Sequence, residues 1–157
     1  MIKDSGTRRE FETGAVRDIQ EGKGRCDLLP HDVIAELYYG DFVLKRIYKF
    51  TQDGDVCWLY EILAEARERI FKDYATMFLE VSKHFEEGCQ KYGENNWRKG
   101  IPAHCYIDSA VRHYFKFKRD DNDEPHLRAF VWNILCCIWT CKHKPELNDY
   151  RKETHDD

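Results

Sequence analysis

From Leu127 to Cys141 the chain reads Leu-Arg-Ala-Phe-Val-Trp-Asn-Ile-Leu-Cys-Cys-Ile-Trp-Thr-Cys, apolar on nearly every face of a helix. A helix without a polar side cannot lie on a surface and must be wrapped by other elements. The stretch is too short and too interrupted to span a bilayer. It therefore predicts a central helix, opened by Pro125 and stopped by Pro145.

The other periodic segments are also helical. Val33, Leu37, Phe42, Val43, Leu44, Ile47 and Tyr48 predict a helix from Val33 to about Phe50, with a defect at Gly40. Pro30 pre-sets its first turn and Asp27 is a candidate cap. Thr51 to Gly54 breaks the pattern, and Asp55 is a candidate new N-cap. A second helical pattern runs from Val56 to about Lys91. Roughly 36 residues at about 1.5 Å each would span about 50 Å, so a bend near Lys72–Ala75 is expected. Gly93 suits the C-terminal cap. A loop over 93–103 and a helix from about His104 to Lys118 follow. No strand alternation or repeat is visible. The fold class is all-α, a single domain over 1–157. It has an N-terminal loop arm over 1–30 and a charged tail over 144–157 that is expected to fray.

A chain of 157 residues can bury one ordinary core. With 25 basic and 29 acidic residues the net charge is −4, so no global basic field favours duplex nucleic acid. A local basic pocket for a phosphorylated small molecule stays open. Residues 1–10 lack an apolar signal region, which points to the cytoplasm, with no membrane partner. The seven cysteines then read as reduced thiols.

Several constellations carry chemistry. Glu80, His84, Glu87 and Lys91 share one helical face and could hold a divalent cation, or form a solvated charged face. Asp123, Glu124 and His126 open the apolar helix, where carboxylates also cap. His126 and Asn133 share a face of that helix and need partners, either each other and their neighbours or a ligand. Asp108 and Arg112 can pair, and His113 lies near Ser109 and Lys116 as a candidate metal or phosphate contact. Lys23 and Arg25, between Gly22 and Gly24, suit phosphate binding, as does Arg17. Tyr92 and Trp97 could stack on a base or anchor the core. Cys137, Cys141 and His143 lack a fourth zinc ligand and read as packing.

Five motifs stand together in order: Glu12-Thr-Gly-Ala-Val-Arg17-Asp18; Gly22-Lys23-Gly24-Arg25-Cys-Asp27-Leu-Leu-Pro30; Lys91-Tyr-Gly-Glu-Asn-Asn-Trp97-Arg-Lys-Gly100; Asp108-Ser-Ala-Val-Arg112-His113; and Asp123-Glu-Pro-His126-Leu. The set, over roughly 11–38 and 76–140, resembles the dATP/dGTP diphosphohydrolase N-terminal-domain family of phages and prophages. That family is similar to the all-α, MazG-like nucleoside triphosphate pyrophosphohydrolases. The resemblance implies Mg²⁺ or Mn²⁺ held by carboxylates over a triphosphate, and conversion of a purine dNTP to dNMP and pyrophosphate. On this reading Glu80 and Glu87 are the catalytic candidates. Arg17, Lys23, Arg25, Lys91, Trp97, Arg112 and Asn133 are the nucleotide-binding candidates. Glu80, His84, Glu87, His113, Asp123 and His126 are the metal candidates.

Two departures stand against it. Residues 39–74 form a helical insertion in the family pattern, and its aromatics suggest a homo-oligomer interface. Glu65-x-x-Glu68 matches half of the MazG-like signature, with no Glu-x-x-Asp following. The alternatives are a non-catalytic phage protein that binds or sequesters a nucleotide or nucleotide-derived signal, and an interaction protein docking through Trp58–Phe71.

Overall fold

The computed structural model describes residues 4–153, and no described helix is long and apolar enough to cross a membrane. The elements among them are strands β1 (Arg8–Glu10) and β2 (Val16–Asp18), then helices α1 (His31–Leu37), α2 (Phe42–Asp53), α3 (Cys57–Ala66), α4 (Tyr74–Tyr92), α5 (Ala103–Lys118) and α6 (His126–His143). The domain is mostly helical, as expected. α6 is the central element: Ala129, Phe130, Val131, Ile134, Cys136, Cys137 and Cys141 are all buried. Its largest contact is with α5, which buries Ile107, Ala110, Val111 and Tyr114.

The N-terminal arm differs from the loop expected there. β1 and β2 pair antiparallel, Arg9 opposite Arg17. Three residues per strand are too few for alternation to show. The turn carries the signal instead, since Gly14 adopts φ 86 and its N–H reaches the Phe11 carbonyl. Asp27 caps nothing; its carboxylate takes two bonds from the Arg25 guanidinium, and α1 begins at Pro30 without a side-chain cap.

The helix expected over 33–50 is two helices. Tyr39 at φ 59 and Gly40 at φ 85 reverse the chain, and the Gly40 and Asp41 N–H groups both close on the Ala35 carbonyl. Asp41 then caps α2 by accepting from the Leu44 N–H at 2.9 Å. The long helix is likewise interrupted, at a π turn over Arg67–Phe71 followed by Lys72 at φ 70. Asp73 restarts it as the α4 cap, accepting from Thr76 N–H at 2.7 Å. The break adjoins the expected bend.

Residues 39–74 are not an appendage. Val43, Leu44, Ile47, Phe50, Leu59, Ile62 and Leu63 join the same core as α6. The C-terminal segment is docked as far as Tyr150. The Asn148 amide donates to the Gly54 carbonyl at 2.9 Å, and Tyr150 meets Phe50 edge-on at 5.3 Å. Gly54 (φ 70) is required there, because a Cβ would lie 2.7 Å from the Arg151 nitrogen. The tail expected to fray is therefore packed over much of its length. Its last four residues, 154–157, lie outside the described residues.

Candidate functional site

The arm lies across α4, α5 and α6 and is held by side chains from the sequence motifs. Asn96 acts as an extra strand partner for Val16: its Oδ1 accepts from the Val16 N–H at 2.8 Å, and its Nδ2 donates to the Val16 carbonyl at 2.7 Å. Asp108 accepts from the Cys26 N–H at 2.6 Å and pairs with Arg112 at 2.6 Å. Arg112 also donates to the Gly24 carbonyl at 2.7 Å. The Gly-rich loop is thereby fixed on α5.

Beneath the arm is a cavity of about 540 Å³, within the usual range for a small-molecule site. Arg17, Lys23, Arg25, Arg112 and Lys116 supply positive charge to its lining. Phe85, Tyr92, Trp97 and Trp132 supply aromatic wall. His84, His113, Glu124 and Asn133 complete the floor.

The nucleotide-binding candidates mostly meet here. Arg17 donates to Asn133 Oδ1 at 3.1 Å and to the Cys105 carbonyl at 3.3 Å, with the Tyr106 and Trp132 rings 5.5 and 5.8 Å away. Asn133 gives its amide to the Ala129 carbonyl at 2.8 Å, so its partners are Arg17 and the backbone rather than His126. Lys23 pairs with Asp18 at 2.9 Å. Trp97 is both wall and anchor, edge-on to Phe85 and Trp139. Lys91 does not line the cavity. It lies 3.9 Å from Asp4, and desolvation lowers its pKa.

The metal candidates divide. His113, Glu124 and His126 offer ligand atoms that all lie within 4.8 Å of one another, and Asp121, Asp123 and His126 form an adjoining group. The two Nδ1 atoms are 2.9 Å apart, and His113 Nδ1 is 3.5 Å from Glu124 Oε1. His126 Nε2 lies 2.6 Å from Asp123 Oδ1. A carboxylate only accepts, so His126 Nε2 donates to Asp123, and the proton shared between the two facing Nδ1 atoms would have to move to His113 Nε2 for both to ligate. The Asp123 contact orients the His126 imidazole for a metal. Burial, with the His126 ring next, pushes His113 down to about 2, so it stays neutral and able to ligate. Two imidazole nitrogens and a carboxylate are a donor set that fits a divalent ion.

Glu80 and Glu87 belong to neither group and do not line the cavity. The inward strip of α4 is Met77, Val81 and His84, and the two glutamates lie at its border. Glu80 pairs with Lys83 at 2.8 Å and Glu87 with Arg128 at 3.0 Å. His84 does face inward, 5.2 Å from the Trp132 ring centroid, and burial, with Arg128 next, pushes it down to about 3. Glu124 was the residue missing from the sequence-based ligand set. Only its place beside Asp123 in Asp-Glu-x-His signalled it.

By fold and site, this is a small helical domain with a cavity of about 540 Å³, cationic on one side and imidazole–carboxylate on another. A model of the family described as dATP/dGTP diphosphohydrolase, N-terminal, matches residues 68–150, just over half of the chain, and the chain belongs to that family. The matched segment holds α4, α5 and α6 but neither the hairpin nor the Gly-rich loop. No curated protein and no solved structure matches the chain.

Proposed function

We propose that the protein is a divalent-metal-dependent hydrolase converting a purine deoxynucleoside triphosphate to the monophosphate and pyrophosphate. The observation that supports it is the convergence, in one cavity of a chain of this family, of the arm cations with His113 and Glu124, behind which His126 completes the ligand group. Arg17, Lys23, Arg25 and Arg112 would offset phosphate charge. Trp97 and Tyr92 offer faces for the base. His113, Glu124 and His126 would hold the divalent ion, Mn²⁺ better than Mg²⁺ because two of the three donors are imidazole nitrogens, with Asp123 orienting His126. Bound there, such an ion supplies Lewis acidity and charge neutralisation to the phosphates. Glu124, the carboxylate facing the cavity beside both imidazoles, is positioned to orient the attacking water. This role falls to Glu124 rather than to Glu80 or Glu87 because those two stand outside the lining.

The decisive experiment incubates the protein with dATP, dGTP and the other nucleoside triphosphates plus Mn²⁺ or Mg²⁺, with products separated by chromatography. The expected products are dNMP and pyrophosphate, lost in Glu124→Gln. Release of inorganic phosphate would overturn the bond assignment, and no consumption would overturn the enzyme reading.

A second reading, a nucleotide binder without turnover, is favoured by one observation. Arg25, Lys23 and Arg112 each already have a carboxylate partner, in Asp27, Asp18 and Asp108. Calorimetric nucleotide binding without consumption would select it.

A further inference from the structure

Apart from the imidazole–carboxylate cluster, the cavity wall carries another reactive group at the start of α5. Cys105 Sγ lies 3.4 Å from His104 Nε2. The ring's other nitrogen, Nδ1, donates to the Asp149 carboxylate, whose Oδ1 also accepts from the His104 backbone N–H at 3.0 Å. Asp149 is held in place by its neighbours, Asn148 on Gly54 and Tyr150 on Phe50. A nucleophile, a base and an orienting carboxylate within hydrogen-bond reach are the arrangement that activates a thiol. Cys105 sits in the first turn of α5, where the helix dipole adds partial positive charge. Both Cys105 and His104 line the cavity, while Cys105 is otherwise buried, so a reagent reaches the sulfur through the cavity.

We propose that Cys105 is a reactive thiol that opens small anionic disulfides entering the cavity, leaving a mixed disulfide in its wall. The Cys105 sulfur attacks one sulfur of R–S–S–R. A new S–S bond forms, the old one breaks, and the departing R–S⁻ takes up the proton that the thiol passed to His104 Nε2. One disulfide is consumed and one is made, and a free thiol reverses the step. The anionic preference follows from the balance of the lining, in which Arg9, Arg17, Lys23, Arg25, Arg112 and Lys116 outnumber Asp4, Asp18, Asp108 and Glu124. Asp149 first, and then the Cys105 sulfur, raise His104 to about 10, which makes it an imidazolium at neutral pH. Among charged groups, Arg25 lies near the Cys105 sulfur and Arg17 donates to the Cys105 carbonyl at 3.3 Å. Four of the other thiols are held protonated: burial raises Cys26, Cys136 and Cys137, and desolvation with Asp55 raises Cys57, while the exposed Cys89 shares the cavity wall and is the internal comparison. If the cavity is the nucleotide site proposed above, the adduct blocks nucleotide entry.

The test uses the full chain and glutathione disulfide at pH 7, with acid quenching and peptide mapping by mass spectrometry. Cys105 should be modified first, about tenfold faster than the exposed Cys57 and Cys89. The dication cystamine should react more slowly, and an equal rate would overturn the anionic preference. His104→Gln should slow the reaction about tenfold. Asp149→Asn keeps an acceptor for the His104 N–H but removes the charge. Its rate at pH 7 should fall well below the native rate. Modification of Cys57 or Cys89 ahead of Cys105 in the native chain overturns the proposal without any variant. An unchanged rate in Asp149→Asn also overturns it. The adduct is read by mass with no nucleotide present. An adduct at Cys105 in a chain that binds no nucleotide therefore overturns the nucleotide reading alone.

Discussion

Acidification from pH 7 to pH 5 will destabilise the fold through two cavity histidines. His84 is held down to about 3 and His113 to about 2, in both cases by burial first. In the unfolded chain each returns to about 6.5. The unfolded state therefore takes the proton first, so the stability contributed by the neutral rings is complete above about 6.5. It is lost as pH falls toward the folded values. At pH 5 the gap to the unfolded value is about 1.5 units, worth about 2 kcal/mol per ring and about 4 kcal/mol for the pair. That is a large share of the 5–15 kcal/mol typical of whole domains. His31, lowered by burial, acts in the same direction. His104 has the opposite sign. Raised to about 10 by Asp149, it contributes below about 6.5, and that contribution is lost as pH rises through 10. Urea unfolding at pH 7, 6 and 5, followed by tryptophan fluorescence, measures the slope, and His84→Gln should remove about half of it. Equal stability at pH 7 and pH 5 would refute the assignment of neutral, buried imidazoles.

Asp123→Asn removes the charge that fixes the His126 tautomer, and Mn²⁺ affinity measured by calorimetry should weaken about 10–100-fold. The melting temperature should change little, because Asp123 is about a third exposed. Gly54→Ala should cost more than the 1 kcal/mol of a simple left-handed penalty, since the new Cβ strikes the Arg151 backbone, and thermal melting reads the loss directly. Association is expected at the corner between α1 and α2, where Leu37 is 74% and Tyr39 fully exposed. Light scattering should give twice the 18.8 kDa chain mass, reverting to that mass in Leu37→Glu with Tyr39→Glu, whereas a native monomer would exclude the idea.

The helical scaffold was legible because its signals are local. The all-round apolar stretch at Leu127–Cys141 required a central helix, and α6 is that helix. The break at Tyr38–Asp41 was only half legible. Gly40 marks it, but Tyr39 at φ 59 is a residue type that gives no warning of a left-handed conformation. The site was legible as residue types but not as a grouping. Glu80, His84 and Glu87 satisfy the same helical spacing, and spacing alone cannot say which edge of that face turns inward. The outcome depended on Arg128, which comes from α6, far away in sequence, and meets Glu87 at 3.0 Å. His104 and Asp149 stand 45 residues apart, and nothing local joins them.

The arm explains why motifs so far apart in sequence belong together. A two-stranded hairpin of three-residue strands has no stability of its own. It persists because Asn96 completes its pairing and because Asp108 and Arg112 hold the loop that follows. Asn96 and Asp108 each hold arm backbone, and Arg112 divides its hydrogen bonds between the Gly24 carbonyl and Asp108. Their consequence is that Arg17, Lys23 and Arg25 reach the cavity at all. The cationic side of the site is therefore built by the helices from a segment that could not form it alone. A change at Asn96 or Asp108 should therefore loosen the cationic wall of the cavity. It reaches the core as well, because Ala15 is fully buried in the cluster around α6 and Phe11 and Cys26 pack against it.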